Sequence, residues 1–167
     1  REEAGRVMAE LMPYVDVCIA NEEDAKDVFG IAAGDTDVVG GKLDHAGYIS
    51  VAKQLKERFG LKYAAITLRG SISASDNNWS GMLYDGEQAY FAPNYLIRIV
   101  DRVGGGDSFG GGLIHAMNTW GGDCQKIIDF AVAASCLKHT VEFDFNHASE
   151  AEVLALAGGN ASGRVQR

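Results

Sequence analysis

The sequence predicts an α/β fold in which a parallel sheet is flanked by helices and carries a β-hairpin at its edge. Short apolar runs rich in β-branched residues alternate with segments whose apolar residues recur at helical spacing. This alternation is typical of parallel strands joined by right-handed crossovers. The pair Asp85-Gly86 separates two short strand-like runs and predicts the hairpin turn. In such a sheet, ligands bind beyond the carboxyl ends of the strands.

The first half of the chain alternates helix and strand. Pro13 ends the first helical pattern, Asn21 suits an N-cap with acidic residues behind it, and Gly60 suits a C-terminal stop. The predicted elements are a helix at 2–12, a strand at 14–20, a helix from 22 to 29, a loop at 31–42, a helix at about 44–59 and a strand at 62–68.

The second half contains the hairpin and three further helices. Apolar residues spaced along one predicted helix place Leu113, Ile114 and Met117 on its buried face, and we expect His115 to be a satisfied core or interface residue. The predicted elements are a loop tip at 76–78, strands at 79–84, 87–91 and 96–100, a helix after the glycines at 104–106, a helix at about 124–139, an irregular segment at 140–147 and a helix at 149–156.

Composition excludes several classes of protein. The 167 residues are enough for one well-buried domain, and 47% of them are apolar. A net charge of −8 argues against a nucleic-acid partner, and the absence of a long apolar run argues against a membrane protein. Three widely spaced cysteines without a CxxC pair predict reduced, buried thiols in a cytoplasmic protein.

The chain is organised around residues 101–109, which follow an apolar strand and begin a helix. A glycine turn at this place directs several unpaired N–H groups and the positive end of the helix dipole at one point, which can hold an anion. Asp107 would supply a base close to the bound group. The pattern indicates phosphoryl transfer, although three glycines before a helix can also be a plain connection and Asp107 a plain helix cap. Neither a dinucleotide-binding fingerprint nor a P-loop fits this segment.

The segment from Asp101 to Phe109 resembles the Asp-Thr-x-Gly-Ala-Gly-Asp-Ser-Phe signature of the ribokinase-like (PfkB) family of carbohydrate kinases. Its departures from that signature are Arg102 and Gly105. Other stretches are similar to the 2-keto-3-deoxygluconate kinase branch of the family, namely residues 20–25, 67–69, 73–75 and 160–167. The resemblance runs through nearly the whole chain and implies a ribokinase-like fold.

The resemblance also implies a reaction and its residues. The reaction would be ATP-dependent phosphorylation of a sugar-acid hydroxyl, most simply that of 2-keto-3-deoxygluconate to give its 6-phosphate, with Mg²⁺ and a monovalent cation such as K⁺. Asp107 would be the catalytic base. The implied roles of the other residues are an anion hole at Gly104, Gly105 and Gly106, nucleotide binding at Asn21, Thr67, Arg69, Gly70 and Ser71, and metal binding at Asp24 and Asp101.

Structural alternatives exist for several of these residues. Asn21 and Asp24 fit an ordinary helix cap, and Asp24 stands where the family has a longer Glu. Arg69 and Ser71 fit a polar turn. Family members are about twice as long, so we expect residues 1–167 to be the C-terminal catalytic part of a cytoplasmic, homo-oligomeric kinase, without its sugar-binding half and lid. A fructokinase or ribokinase activity, a nucleotide-binding fragment without catalysis and a purely structural fragment remain alternatives.

Overall fold

The computed structural model describes residues 2–32 and 45–159 and has the predicted α/β fold. The chain divides into two units, Arg1–Gly70 with Ser80–Phe91 and Ser71–Trp79 with Ala92–Arg167. The predicted loop at 31–42 and the resemblance at 160–167 lie almost wholly outside the described residues. The elements are α1 (Glu2–Leu11), β1 (Val17–Ala20), α2 (Glu22–Phe29), α3 (His45–Phe59), β2 (Tyr63–Ser71), β3 (Asp76–Tyr84), β4 (Ala89–Phe91), β5 (Tyr95–Arg98), α4 (Gly105–Thr119), α5 (Cys124–Lys138) and α6 (Glu150–Ala157).

The first unit packs helix α3 against the sheet. Strands β1 and β2 are parallel, with Val17 opposite Tyr63 and Ala20 opposite Ile66. The core is formed by apolar side chains from both layers, including Val51, Ala52, Leu55, Ala64, Ile66 and Leu68. Helix α3 ends at Gly60, whose φ of +72° is the left-handed conformation that glycine adopts without strain. The helix and strand patterns of this half are therefore confirmed.

The sheet is mixed, because the predicted hairpin adds antiparallel strands to the predicted parallel pair β1 and β2. Strand β3 runs antiparallel to β4, with Tyr84 opposite Ala89, and antiparallel to β5, with Trp79 opposite Tyr95. The physical reason is loop length, because a parallel pair needs a crossover of a dozen or more residues and a short turn can only reverse the chain. The hairpin turn is closed by Asp85, whose Oδ1 accepts the amides of Glu87 and Gln88.

The predicted loop tip at 76–78 is wrong, because β3 already begins at Asp76. The turn lies earlier in the chain, where Ser73 Oγ accepts the N–H groups of Ser75 and Asp76 at 3.2 and 2.9 Å. Asn77 is fully buried and pairs with Ile97 of β5. Backbone pairing to a neighbouring strand therefore overrides the turn preference of three consecutive polar residues.

The second unit is built on the packing of α4 against α5. Phe109, Leu113 and Ala116 are buried on α4, but Ile114 is 60% exposed, so the predicted buried face was too wide. Ile114 is rotated about 100° from Leu113 around the helix axis. Gly112 faces α5 so closely that a Cβ added there would lie 3.2 Å from Ala131 Cα.

The structure describes all three cysteines, whose burial and oxidation state the sequence predicted. All three cysteines are free thiols; Cys124 and Cys136 are buried as the sequence predicted, whereas Cys18 is only half-buried. Burial raises the pKa of the Cys136 thiol, which keeps it protonated near neutral pH.

Among residues 2–32 and 45–159, no helix combines the length and apolar character needed to cross a membrane.

Candidate functional site

The candidate site is the bend between β5 and α4 in the second unit. Gly104 is the N-cap of α4 and has a φ of +80°, a conformation that L side chains rarely adopt. A Cβ at this position would also collide with the backbone oxygen of Asp144. The first helical bond runs from Ser108 N–H to Gly104 O at 2.9 Å. Glycine is thus required here by backbone conformation and by close packing together.

The start of α4 presents free amides to open space. Gly105 N–H donates to Arg102 O at 3.3 Å, whereas the N–H groups of Gly106 and Asp107 have no acceptor within the part of the chain that the structure describes. A Cβ built on Gly106 would meet no atom within 4 Å from the rest of the described chain, the adjoining backbone aside. Unpaired amides at the positive end of a 15-residue helix suit an anion such as a phosphate group. The amides of Gly106 and Asp107, more than that of Gly105, are free for such a ligand.

Asp101 stabilises the bend through two hydrogen bonds to backbone N–H groups. Its Oδ1 accepts Val103 N–H at 3.0 Å and its Oδ2 accepts Phe143 N–H at 3.1 Å. The hydrogen bond from Val103 lowers the pKa of the Asp101 carboxyl, and the charge of Lys138 and the bond from Phe143 act in the same direction. Phe143 has a φ of +65°, a strained conformation for a non-glycine residue. The carboxylate therefore ties the bend to the segment that follows α5.

His139 supports the bend from the core side. A Cβ at Gly105 would lie 2.5 Å from the imidazole Cε1, so this glycine is required by the ring. Ser135 Oγ donates to Gly105 O at 2.8 Å. His139 Nδ1 lies 2.7 Å from Ser135 O, which can only accept, so Nδ1 carries the proton. The sequence places Ser135 on the buried face of its helix, and the structure confirms this. It gave no signal that Ser135 and His139 contact the bend, because helical spacing does not reveal the partner of a buried polar side chain.

Burial lowers the pKa of His139, so acid should destabilise the second unit. The unfolded chain binds the proton more tightly than the folded one, and the free energy of unfolding should fall as pH drops below the ordinary histidine pKa of about 6.5. Between pH 7.5 and 5.0, the free energy of unfolding in urea should fall less for His139→Phe than for the wild type. Equal losses in the two proteins would contradict this role for His139.

An open cleft of about 550 Å³ adjoins the bend. Asp107 and Ser108 line it, together with Phe130 of α5 and the segment from Asp144 to Asn146. The Asp107 side chain is exposed, so its carboxylate can reach a molecule in the cleft. His115 also lines the cleft and is exposed, so it is not a core residue. Its Nε2 lies 3.5 Å from Glu150 Oε2 and its ring packs against Trp120 and Phe130, which fits the predicted alternative of a satisfied interface residue. Asp107 thus belongs both to the bend and to the lining of the cleft, whereas Gly104, Gly105 and Gly106 do not line it.

The predicted nucleotide residues Asn21, Thr67, Arg69 and Gly70 belong to the first unit. Because Ala20 pairs with Ile66, Asn21 and Thr67 follow at the same end of the parallel pair. Asn21 Oδ1 accepts Asp24 N–H at 2.8 Å, and Asp24 Oδ2 accepts Asn21 N–H at 3.1 Å, which is a capping box. The helix-cap interpretation is confirmed.

Arg69, Gly70 and Ser71 lie within β2, so the polar-turn interpretation is wrong. Arg69 and Ser71 are exposed, and Ser71 is assigned to the second unit. In the described ranges, no group of three or more His, Cys, Asp or Glu side chains is arranged to hold a metal ion. Metal binding at Asp24 and Asp101 therefore stays a prediction.

The family model described as pfkB family carbohydrate kinase matches residues 2–142. The 2-dehydro-3-deoxygluconokinase of Thermotoga maritima is similar in structure at 47% identity and a TM-score of 0.84, over 94% of this chain and 45% of that one. A PfkB family carbohydrate kinase of Listeria grayi is 30% identical with a TM-score of 0.76. The match covers 93% of this chain and 45% of that one.

A putative 2-keto-3-deoxygluconate kinase of Enterococcus faecalis has a TM-score of 0.77 at 20% identity, over 99% of this chain and 48% of that one, which shows the fold alone. No curated protein matches the chain. The chain spans less than half the length of these three solved structures.

Proposed function

This chain belongs to the pfkB family of carbohydrate kinases, and we propose that it carries the catalytic turn of an ATP-dependent sugar-acid kinase. The substrate we propose is 2-keto-3-deoxygluconate, with its 6-phosphate as the product. One observation supports this most strongly. Asp107, whose side chain is exposed, lines an open cleft at the start of α4, where the N–H groups of Gly106 and Asp107 have no acceptor among the described residues.

Asp107 acts in the proposed mechanism as the general base. ATP, when bound, supplies the γ-phosphoryl group. The carboxylate of Asp107 accepts the proton of the attacking sugar hydroxyl, and the amides from Gly104 to Asp107 stabilise the negative charge on the equatorial oxygens. Asp101 and His139 hold the bend in its conformation and do not contact the substrate. The positive end of α4 adds to the same electrostatic stabilisation.

The remaining sequence-predicted residues are proposed to bind nucleotide and ions. Asn21, Thr67, Arg69, Gly70 and Ser71 would contact ATP, with the Arg69 guanidinium bracing phosphate oxygens. Mg²⁺ is held in most kinase sites by phosphate oxygens and water with one or two carboxylates, so a centre built wholly of protein is not required. Asp24 would supply such a carboxylate, largely through water.

The sugar acid is proposed from the comparisons. The Thermotoga maritima 2-dehydro-3-deoxygluconokinase shares 47% of its residues with this chain over the aligned part. Fructokinase or ribokinase activity is the second candidate, because this chain is similar to less than half of that enzyme. For the same reason a third candidate is that residues 1–167 alone bind ATP without phosphorylating a sugar.

A substrate screen tests the proposal. The full-length protein should form ADP from ATP with 2-keto-3-deoxygluconate at a kcat/KM at least tenfold above that with fructose or ribose, a ratio that loss of one buried polar contact readily produces. ³¹P NMR should place the new phosphate on the terminal hydroxyl. A preference for fructose or ribose would replace the substrate assignment, and no transfer to any sugar or sugar acid would refute the kinase proposal.

A further inference from the structure

Arg102 places a positive charge on the bend that the proposed mechanism leaves unused. Its side chain is exposed, and it stands where the family signature has threonine. The guanidinium Nη2 donates to Ala74 O at 2.5 Å. The carbonyl oxygen of Arg102 accepts Gly105 N–H at 3.3 Å, which closes a tight turn at the start of α4. Arg102 therefore joins the bend through its backbone and a second segment through its side chain.

The acceptor of the Arg102 side chain is itself held in place. Ala74 lies in the turn that Ser73 Oγ closes by accepting two backbone N–H groups. The next residue, Ser75, accepts Ile99 N–H through its carbonyl oxygen at 2.7 Å. The guanidinium is thus anchored to a braced turn, and an anchored side chain loses less conformational entropy when it binds a ligand.

The anchored guanidinium keeps its charge and most of its donors. Its acceptor Ala74 O is neutral, and no ion pair joins Arg102 to a carboxylate within residues 2–32 and 45–159. Arginine carries its N–H groups in a planar fork, so one bond to a carbonyl leaves the others available. Two parallel N–H groups of such a fork match two oxygens of a phosphate group.

The free amides at the start of α4 adjoin Arg102. The two ends of a turn closed in this way lie within about 7 Å of each other, measured between their Cα atoms. The Arg102 side chain therefore begins close to Gly105, and the unpaired N–H groups of Gly106 and Asp107 follow directly. An anion held by these amides lies within the reach of a long side chain that starts at this position.

We propose, building on the kinase function above, that the Arg102 guanidinium binds the phosphate chain of the nucleotide together with the free amides of the bend. The chain carries a net charge of −8, and Asp107, Asp144 and Glu150 line the cleft, so a polyphosphate approaches against negative charge. The guanidinium offsets this repulsion. It recognises phosphate alone, so the affinity for adenosine does not depend on it.

Calorimetric titrations of the full-length protein with ATP, tripolyphosphate and adenosine test the proposal. Arg102→Gln keeps a polar N–H group and removes the charge. The dissociation constants for ATP and tripolyphosphate should rise about tenfold or more, as expected when a charged hydrogen bond is lost. The dissociation constant for adenosine should stay within about twofold of wild type. Arg102→Lys keeps the charge without the fork, so its ATP dissociation constant should rise about threefold.

Arg98→Gln is the matched control. Arg98 is an exposed arginine at the end of β5 in the same unit, and its replacement changes the net charge by the same amount. All three dissociation constants should stay within about twofold of wild type, because exposed charges act weakly through water and salt.

Three outcomes would overturn the proposal. ATP affinity in Arg102→Gln could equal that of wild type, which would show that the guanidinium does not contact phosphate. ATP and adenosine could be weakened by the same factor, which would show that Arg102 serves only to tie the bend to the turn of Ala74. The wild-type protein could fail to bind either ATP or tripolyphosphate.

Two features keep the test decisive. Should Arg102→Gln fail to fold, the same comparison of ATP with adenosine is made with Arg102→Lys, and equal factors for the two ligands would again overturn the proposal. The titrations involve no phosphoryl transfer. A protein that binds ATP through Arg102 and phosphorylates no sugar would therefore refute the proposed function and leave this inference standing.

Discussion

Asp107→Asn should abolish sugar phosphorylation while leaving ATP binding nearly intact. The substitution removes only the basic oxygen, and loss of a general base lowers kcat by about 1,000-fold. The side chain is exposed in the first turn of α4, so the fold should lose no more than about 1 kcal/mol of its favourable interaction with the helix dipole. Steady-state kinetics and an ATP titration of the same full-length preparation measure the two effects separately.

The matched control for Asp107→Asn is Glu142→Gln. Glu142 is an exposed acid that does not line the cleft, so its neutralisation changes the net charge by the same amount. Turnover should stay within about twofold of wild type, because surface charges act weakly through water and salt. If Asp107→Asn turns over near the wild-type rate with ATP still bound, Asp107 is not the base.

Gly104→Ala should damage the fold itself. Alanine in a left-handed conformation costs about 1–2 kcal/mol, and an added methyl group in a tightly packed place costs about 1–3 kcal/mol more. Both costs apply at Gly104, which has a φ of +80° and faces the Asp144 backbone. We expect the free energy of unfolding in urea to fall by about 2–5 kcal/mol, the sum of these two contributions.

Gly106→Ala is the contrasting variant two residues later. Among the described residues, no atom outside the adjoining backbone lies within 4 Å of the position of its Cβ, so the protein should be as stable as wild type or slightly more stable. Its methyl group would instead occupy the space in front of the free amides, and ATP affinity should fall. Equal stability losses for the two variants would contradict the account of the bend, as would unchanged ATP affinity in Gly106→Ala.

The sequence was most informative where one local rule decides the structure. Asn21 and Asp24 form the capping box that their spacing predicts, and Asp85 closes the hairpin turn. Three glycines and an aspartate before an apolar helical pattern also placed the bend and the exposed carboxylate of Asp107 correctly.

Features that depend on contacts distant in sequence could not be predicted. Asp76–Asn78 became part of a strand because β5 pairs with it. A side chain at position 105 would collide with the ring of His139, a residue far along the chain from Gly105. The engagement of both Asp101 oxygens by backbone amides and the burial of Lys138 likewise required the tertiary structure.

The central claim is that the amides of the bend and the Asp107 carboxylate converge on the transferred phosphoryl group. A crystal structure of the full-length protein with a non-hydrolysable ATP analogue and 2-keto-3-deoxygluconate tests it most directly. The account predicts γ-phosphate oxygens within hydrogen-bonding distance of Gly106 N and Asp107 N, and the terminal sugar hydroxyl about 3 Å from a carboxylate oxygen of Asp107. A γ-phosphate bound away from the start of α4, with Asp107 facing only solvent, would contradict the account.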